Sequence, residues 1–62
     1  MNDEDKINLL VEVLEKDYKT IGLMDRAELK DFVECISIFI NTKDNIVAEG
    51  AIKTMYLIAN KH

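Results

Sequence analysis

The sequence of 62 residues has no proline, no tryptophan, two glycines and one cysteine. The single Cys35 excludes a disulfide within the chain, and without proline no residue forces a break in a long helix. No apolar run approaches the roughly 20 residues that cross a bilayer, and the acidic residues that follow Met1 lack the positive charge of a secretory leader. We therefore expect a cytoplasmic protein that does not enter membranes and in which Cys35 is a reduced, partly buried thiol.

Catalytic groups are scarce. The only histidine, His62, lies at the C-terminal end, where we expect fraying, and Cys35 has no nearby base in the sequence. Asp3, Glu4 and Asp5 point in different directions on a helix, so they fit helix-start charges better than a metal cage. A glycine-rich phosphate loop is also absent from the sequence. We expect no enzyme activity, no metal and no cofactor.

The acidic excess is confined to the first half of the chain. Residues 1–31 carry five basic and nine acidic side chains (5 − 9 = −4), whereas residues 32–62 carry three of each (3 − 3 = 0). Direct binding to nucleic acid needs a basic stripe, and binding to anionic lipid needs a basic helix face, so both are disfavoured. The acidic half fits a solvated surface, a docking surface for a basic partner, or a mimic of nucleic acid.

Helical periodicity predicts an all-α protein. The pattern indicates helices at roughly 3–20, 25–41 and 44–60, with short connections that favour a small, self-associating three-helix bundle as a single domain over 1–62. A helical hairpin that pairs with a second chain is the main alternative.

Capping residues mark the ends of these helices. Gly22 and Asn41 can adopt the left-handed conformation that ends many helices, and Leu23 could then fold back on the last turn. The predicted starts are Asn2 or Asp3, Asp25 in a capping box with Glu28, and Thr42 or Asp44.

Each predicted helix has an apolar face that we expect to point inward, and each also has apolar side chains elsewhere. The inward residues of helix 1 are expected to be Ile7, Leu10, Val11, Leu14 and Tyr18. Those of helix 2 are expected to be Leu29, Phe32, Val33, Ile36, Phe39 and Ile40. Those of helix 3 are expected to be Val47, Ala48, Ala51, Ile52, Met55, Ile58 and Ala59, with Tyr56 at the edge.

The surplus apolar side chains indicate contacts with another chain. Gly50 destabilises an exposed helix by roughly 1 kcal/mol relative to alanine, so either another helix approaches it closely or the site tolerates change. We expect helix 3 to be central to assembly. The predicted partner or oligomer interface consists of Leu9, Val13, Ile38, Ile46, Gly50, Lys53 and Leu57.

The function that these features favour is a noncatalytic protein-binding module, with a homodimer or higher oligomer expected. Its composition, rich in Ile, Lys, Asn, Asp and Glu, favours a small bacterial or phage-encoded regulator or inhibitor. A self-assembling structural module is one alternative. A helix-turn-helix DNA-binding regulator is another, although the start of helix 3 mixes Lys43 and Asn45 with the acids Asp44 and Glu49.

Overall fold

The computed structural model describes residues 2–62 and contains three helices, α1 (Asp3–Ile21), α2 (Arg26–Asn41) and α3 (Asn45–Ala59). The connections between them are short. Contacts between the start of α1 and the end of α2, and between the C-terminus and the start of α2, show that successive helices run antiparallel. The predicted all-α three-helix architecture is confirmed. Within residues 2–62, no helix combines the length and the apolar character that spanning a bilayer requires.

Side-chain caps start all three helices where the sequence predicted. Asp25 and Glu28 form the expected capping box: the amide of Glu28 donates to Asp25 Oδ1 at 2.8 Å, and the amide of Asp25 donates to Glu28 Oε1 at 3.3 Å. The side chains of Asn2 and Asp44 each accept a hydrogen bond of 2.8 Å from a backbone amide in the first turn of the helix that follows. These bonds satisfy amide groups that have no partner within the helix, and so they fix where each helix begins.

The predicted left-handed helix ends are wrong, since no described residue has a positive φ. Gly22 has right-handed helical angles, and the amide of Leu23 donates to the carbonyl of Thr20 at 2.9 Å. Asn41 is the last residue of α2, and the extended backbone of Thr42 ends that helix. Tight i to i−3 bonding therefore satisfies the final carbonyls of α1, and Leu23, 68% exposed, does not fold back on the helix.

The core is built mainly from α2 and α3. Among residues 2–62, helix α3 supplies six of the ten buried apolar residues, so it is central to packing within the chain. Its alanines have small side chains, which leave room for the fully buried rings of Phe32 and Phe39. The core cluster consists of Val13, Phe32, Cys35, Phe39, Ala48, Ala51, Ile52, Met55 and Ile58.

Helix α1 presents a different face to the core from the one predicted. Val13, expected outside the centre of the inward face, is 1% exposed, and Leu9 packs against the same core. The helix carries two adjacent apolar rows that share Leu10 and Leu14, and periodicity does not indicate which row faces α2 and α3. The residues of α1 that were expected inside but are exposed are Ile7, Val11 and Tyr18.

Helix α2 shows a similar shift, whereas α3 follows the prediction more closely. Phe32 and Phe39 are buried as expected, and Cys35 joins them. On α3, the exposed Val47 is the exception to the predicted inward face. The residues of α2 that were expected inside but are exposed are Leu29, Val33 and Ile40.

A buried lysine ties α1 to the end of α2. Lys6 is 7% exposed, its Nζ donates to the carbonyl oxygen of Thr42, and it lies 5.9 Å from the centroid of the Phe39 ring. The positive charge is favourable at a helix C-terminus, where carbonyl groups lack partners within the helix. The sequence pattern did not indicate this role, because Lys6 lies between acidic and apolar residues on a helix that has other lysines.

Replacement of Lys6 with alanine should destabilise the fold by about 1–3 kcal/mol, since it removes the buried stem and the bond to Thr42. Urea unfolding followed by circular dichroism measures this change. The exposed Lys16 is the matched control, and its replacement with alanine should change the free energy of unfolding by less than about 0.5 kcal/mol. Equal effects of the two substitutions would contradict the assigned role of Lys6.

Candidate protein-binding groove

An open groove of about 750 Å³ lies between α2 and α3. Ile38 and Leu57 line it from the two helices, and they are 47% and 65% exposed. Both were predicted interface residues, and the antiparallel packing of α2 and α3 brings them to one space. Exposed apolar side chains that share a concave surface are typical of a protein-binding site.

The floor and the α2 wall of the groove were not identified from the sequence. The thiol of Cys35 lies in the lining, and Asp31 and Glu34 line it on the same helix. Their spacing places these two acids on the face of α2 that carries Ile38, so the acidic edge could be found from helical periodicity. Only the tertiary structure shows that this face of α2 lies next to α3.

Three further predicted interface residues are exposed on α3. Ile46 is 80% exposed, and Gly50 and Lys53 are also exposed, but none of the three lines the groove. A Cβ atom built on Gly50 would meet nothing within 4 Å, so no helix of this chain approaches it closely. The interface role of these residues, like that of Ile38 and Leu57, stays a prediction.

The two predicted interface residues on α1 do not belong to an open surface. Val13 is enclosed in the core, and Leu9 is partly buried against it. Their burial follows from the rotation of α1 relative to the predicted inward face. We therefore remove Leu9 and Val13 from the candidate interface.

The groove lowers the reactivity of its thiol. Burial raises the pKa of Cys35, and the nearby negative charges of Asp31 and Glu34 raise it further. A thiol whose thiolate is disfavoured is a poor nucleophile at neutral pH. Cys35 therefore contributes an apolar side chain, and not a nucleophile, to the lining of the groove. Its expected reduced state stays a prediction.

The C-terminal end of the chain is held against α2. His62 Nε2 lies 2.8 Å from Glu28 Oε2, and both side chains are largely shielded from solvent. The pair gives His62 a contact with α2, and the neighbouring Lys61 lines the groove. The expected fraying at His62 stays a prediction. Within residues 2–62, His, Cys, Asp and Glu side chains form no group of three or more that could hold a metal ion.

No protein-family model, curated protein sequence or solved structure matches this chain. The groove and the exposed apolar faces are therefore the observations from which its function can be inferred.

The raised pKa predicts slow alkylation of Cys35 in the folded protein. At pH 8, iodoacetamide should modify it at least about tenfold more slowly than in denaturing urea, since burial limits access and the thiolate is disfavoured. Mass spectrometry measures the rates, with free cysteine at each urea concentration as the control. Similar rates in the folded and unfolded states would contradict the burial of this thiol.

The same shift predicts a pH dependence of stability. The folded thiol keeps its proton at a pH where the unfolded thiol, with a pKa of about 8.5, loses it, so ionisation favours the unfolded state. Below the pKa of the unfolded thiol, the contribution of Cys35 to the free energy of unfolding is constant. The free energy of unfolding then declines as the pH rises through the pKa of the unfolded thiol toward that of the folded thiol. A Cys35→Ala variant should lack this part of the decline, which urea unfolding between pH 7 and 10 measures.

The open space at Gly50 predicts that alanine stabilises the isolated chain. Gly50→Ala should raise the free energy of unfolding by roughly 0.5–1 kcal/mol, because alanine has the higher helix propensity and its methyl group meets no obstacle. Urea unfolding measures the effect at a protein concentration low enough to keep the chain monomeric. A loss of stability would show that the isolated chain needs a glycine here.

Proposed function

We propose that this protein is a noncatalytic binding module that holds an amphipathic helix of another protein in the groove between α2 and α3. The observation that carries the proposal is the shared space in front of Ile38 and Leu57. These side chains lie in one open groove although each is largely exposed. Covering them with apolar side chains of a partner removes both from water, which favours association.

The shape of the groove favours a helix as the occupant. Two antiparallel helices form a straight trough, and an amphipathic helix fills such a trough with apolar residues spaced three and four apart. Asp31 and Glu34 make one wall acidic, so basic residues along one edge of the partner helix would complement it. The same acids disfavour the phosphate backbone of DNA, which weighs against the helix-turn-helix alternative.

The exposed residues of α3 next to the groove extend this surface. Gly50 and Leu57 lie two turns apart on one side of α3, and the missing side chain of Gly50 would let a partner backbone come close. Ile46 adds an apolar contact one turn before Gly50. A module of this kind acts by occupying its partner, and we extend the proposal to a small cytoplasmic regulator or inhibitor of bacterial or phage origin.

A charge placed in the groove should abolish partner binding. The immobilised wild type, Leu57→Glu and Leu23→Glu proteins would be exposed to a lysate of the source cells, and the retained proteins quantified by mass spectrometry. Leu23 is the matched control, since its exposure of 68% resembles that of Leu57 and it lies outside the groove. Proteins that bind the groove should be retained by the wild type and Leu23→Glu but lost from Leu57→Glu.

The affinity of the purified partner then provides the quantitative test. Leu57→Glu and Ile38→Glu should each weaken binding at least about tenfold, as expected when a charge is buried at an apolar contact. Gly50→Ala, which should stabilise the isolated chain, should weaken binding if the partner backbone crosses there. If the groove substitutions and Leu23→Glu leave the same proteins bound with the same affinity, the groove is not the binding site.

A further inference from the structure

Helices α1 and α2 each carry an apolar row that the fold leaves facing outward. Within each row the residues are spaced four, three and four apart, which is the repeat of a coiled-coil seam. Leu14 and Ile36 are half-buried at the edge of the core, and the other six residues are exposed. The row on α1 consists of Ile7, Val11, Leu14 and Tyr18, and the row on α2 consists of Leu29, Val33, Ile36 and Ile40. We call these eight residues the seam face.

The two rows meet at one end, and their equal spacing predicts a matching register along the rest of their length. Ile7 and Ile40 line the same cleft of about 240 Å³, which fixes the relative position of the rows at one end. Because α1 and α2 run antiparallel, residue numbers rise along the row on α1 while those of the neighbouring residues on α2 fall. The equal spacing then predicts three further pairs of neighbours, Val11 with Ile36, Leu14 with Val33, and Tyr18 with Leu29. In this register the seam face would have four layers of two apolar side chains.

The area of the seam face fits a small dimer interface. Two helices of about 25 Å length, packed about 10 Å apart, present a face of roughly 500 Å². Two copies would bury about 1,000 Å² in total, the lower limit for a specific interface, so a dissociation constant in the micromolar range is expected. Helix α3 packs against the other side of the α1–α2 pair, which leaves the seam face open.

We propose that a second copy of this chain covers the seam face and forms an antiparallel four-helix bundle from two α1–α2 pairs. In this dimer the twofold axis runs parallel to the helices. Helix α1 of each copy then lies on α2 of the other, and every neighbouring pair of helices is antiparallel. Each layer of two side chains in one copy meets the same layer in the other copy, so the core of the four-helix bundle has four layers of four side chains.

Charge complementarity selects this arrangement. Glu15 and Lys30 each follow a seam residue by one position, and they lie on opposite outer edges of the seam face. A twofold axis parallel to the helices brings Glu15 of one copy to Lys30 of the other, and does so twice. Facing positions of this kind form the ion pairs of antiparallel coiled coils.

A twofold axis perpendicular to the helices would instead place α1 on α1. Helix α1 carries three lysines and six acids, a net charge of 3 − 6 = −3 over Asp3–Ile21. Two such helices in contact repel each other, whereas α2 offers Lys30 at the edge. The parallel axis is therefore the favoured one.

The dimer goes beyond the proposed function and does not depend on it. By helical phase the seam row and Ile38 lie on opposite sides of α2, so self-association leaves the groove between α2 and α3 open. Each dimer would present two grooves, one on each copy. Substitutions can then separate the two surfaces.

Sedimentation velocity from about 5 to 500 µM tests the dimer. The wild type should change from 7.1 kDa to twice that mass as its concentration rises. Val33→Glu and Val11→Glu should each weaken self-association at least about 100-fold, because every dimer buries two added charges. Ile46→Glu and Leu57→Glu are matched controls on α3 and should dimerise as the wild type does. Circular dichroism checks that each variant is folded.

Charge exchange tests the arrangement with variants that keep the apolar seam. Glu15→Lys and Lys30→Glu should each weaken the dimer about three- to tenfold, and the double variant should recover wild-type affinity. In a Cys35→Ala background, a mixture of Glu15→Cys and Lys30→Cys chains should form a disulfide between copies under mild oxidation. Either cysteine variant alone should form much less of the disulfide-linked dimer.

Four results would overturn the proposal. The first is a wild type that remains monomeric up to 500 µM, and the second is a dimer whose affinity Val33→Glu and Val11→Glu leave unchanged. The third is loss of the dimer in Ile46→Glu or Leu57→Glu. The fourth is a double charge variant that self-associates more weakly than either single variant. If the wild type remains monomeric but a different protein needs Val33 for binding, the seam face serves that protein instead. Loss of groove binding in Leu57→Glu with an intact dimer would separate the two functions.

Discussion

The structure depends on the packing of α3 against the two buried rings of α2. Phe32 and Phe39 fill the space in front of the alanine-rich face of α3, and that contact accounts for most of the core. Helix α1 adds only one fully enclosed apolar residue, Val13. It is also held by a polar contact, since the buried Lys6 reaches the carbonyl of Thr42 at the end of α2. The arrangement of the helices thus depends on one apolar interface, between α2 and α3, and on one hydrogen bond from a lysine of α1 to the end of α2.

A chain of this size cannot enclose all its apolar side chains, because a small domain buries a smaller share of its surface than a large one. Among residues 2–62, eight of the twelve large apolar side chains that are exposed lie in two places, the groove beside Ile38 and Leu57 and the seam face on α1 and α2. These surfaces lie on opposite sides of α2. In the two proposals, one surface would hold a partner while the other joined two copies, and the small core would gain support from the dimer.

Much of the fold could be predicted because the controlling interactions are local. The Asp25 capping box fixes the start of α2 through hydrogen bonds within four residues, and the helical repeat fixes the number of helices. The helix ends were less predictable, since Gly22 can end a helix in more than one conformation and tight backbone bonds decided its angles. For the candidate site, Ile38 and Leu57 were identified as surplus apolar residues, but their shared groove was not.

The sequence by itself determined three amphipathic helices, their starts and the presence of more apolar surface than one small core needs. The tertiary structure alone decided which apolar row faces inward. On α1, Val13 is buried while Ile7 and Val11 are exposed, although both rows have helical spacing. Periodicity identifies an apolar row but does not show whether a helix of the same chain covers it. Burial against a helix of the same chain and burial against a helix of another chain remove apolar side chains from water equally well.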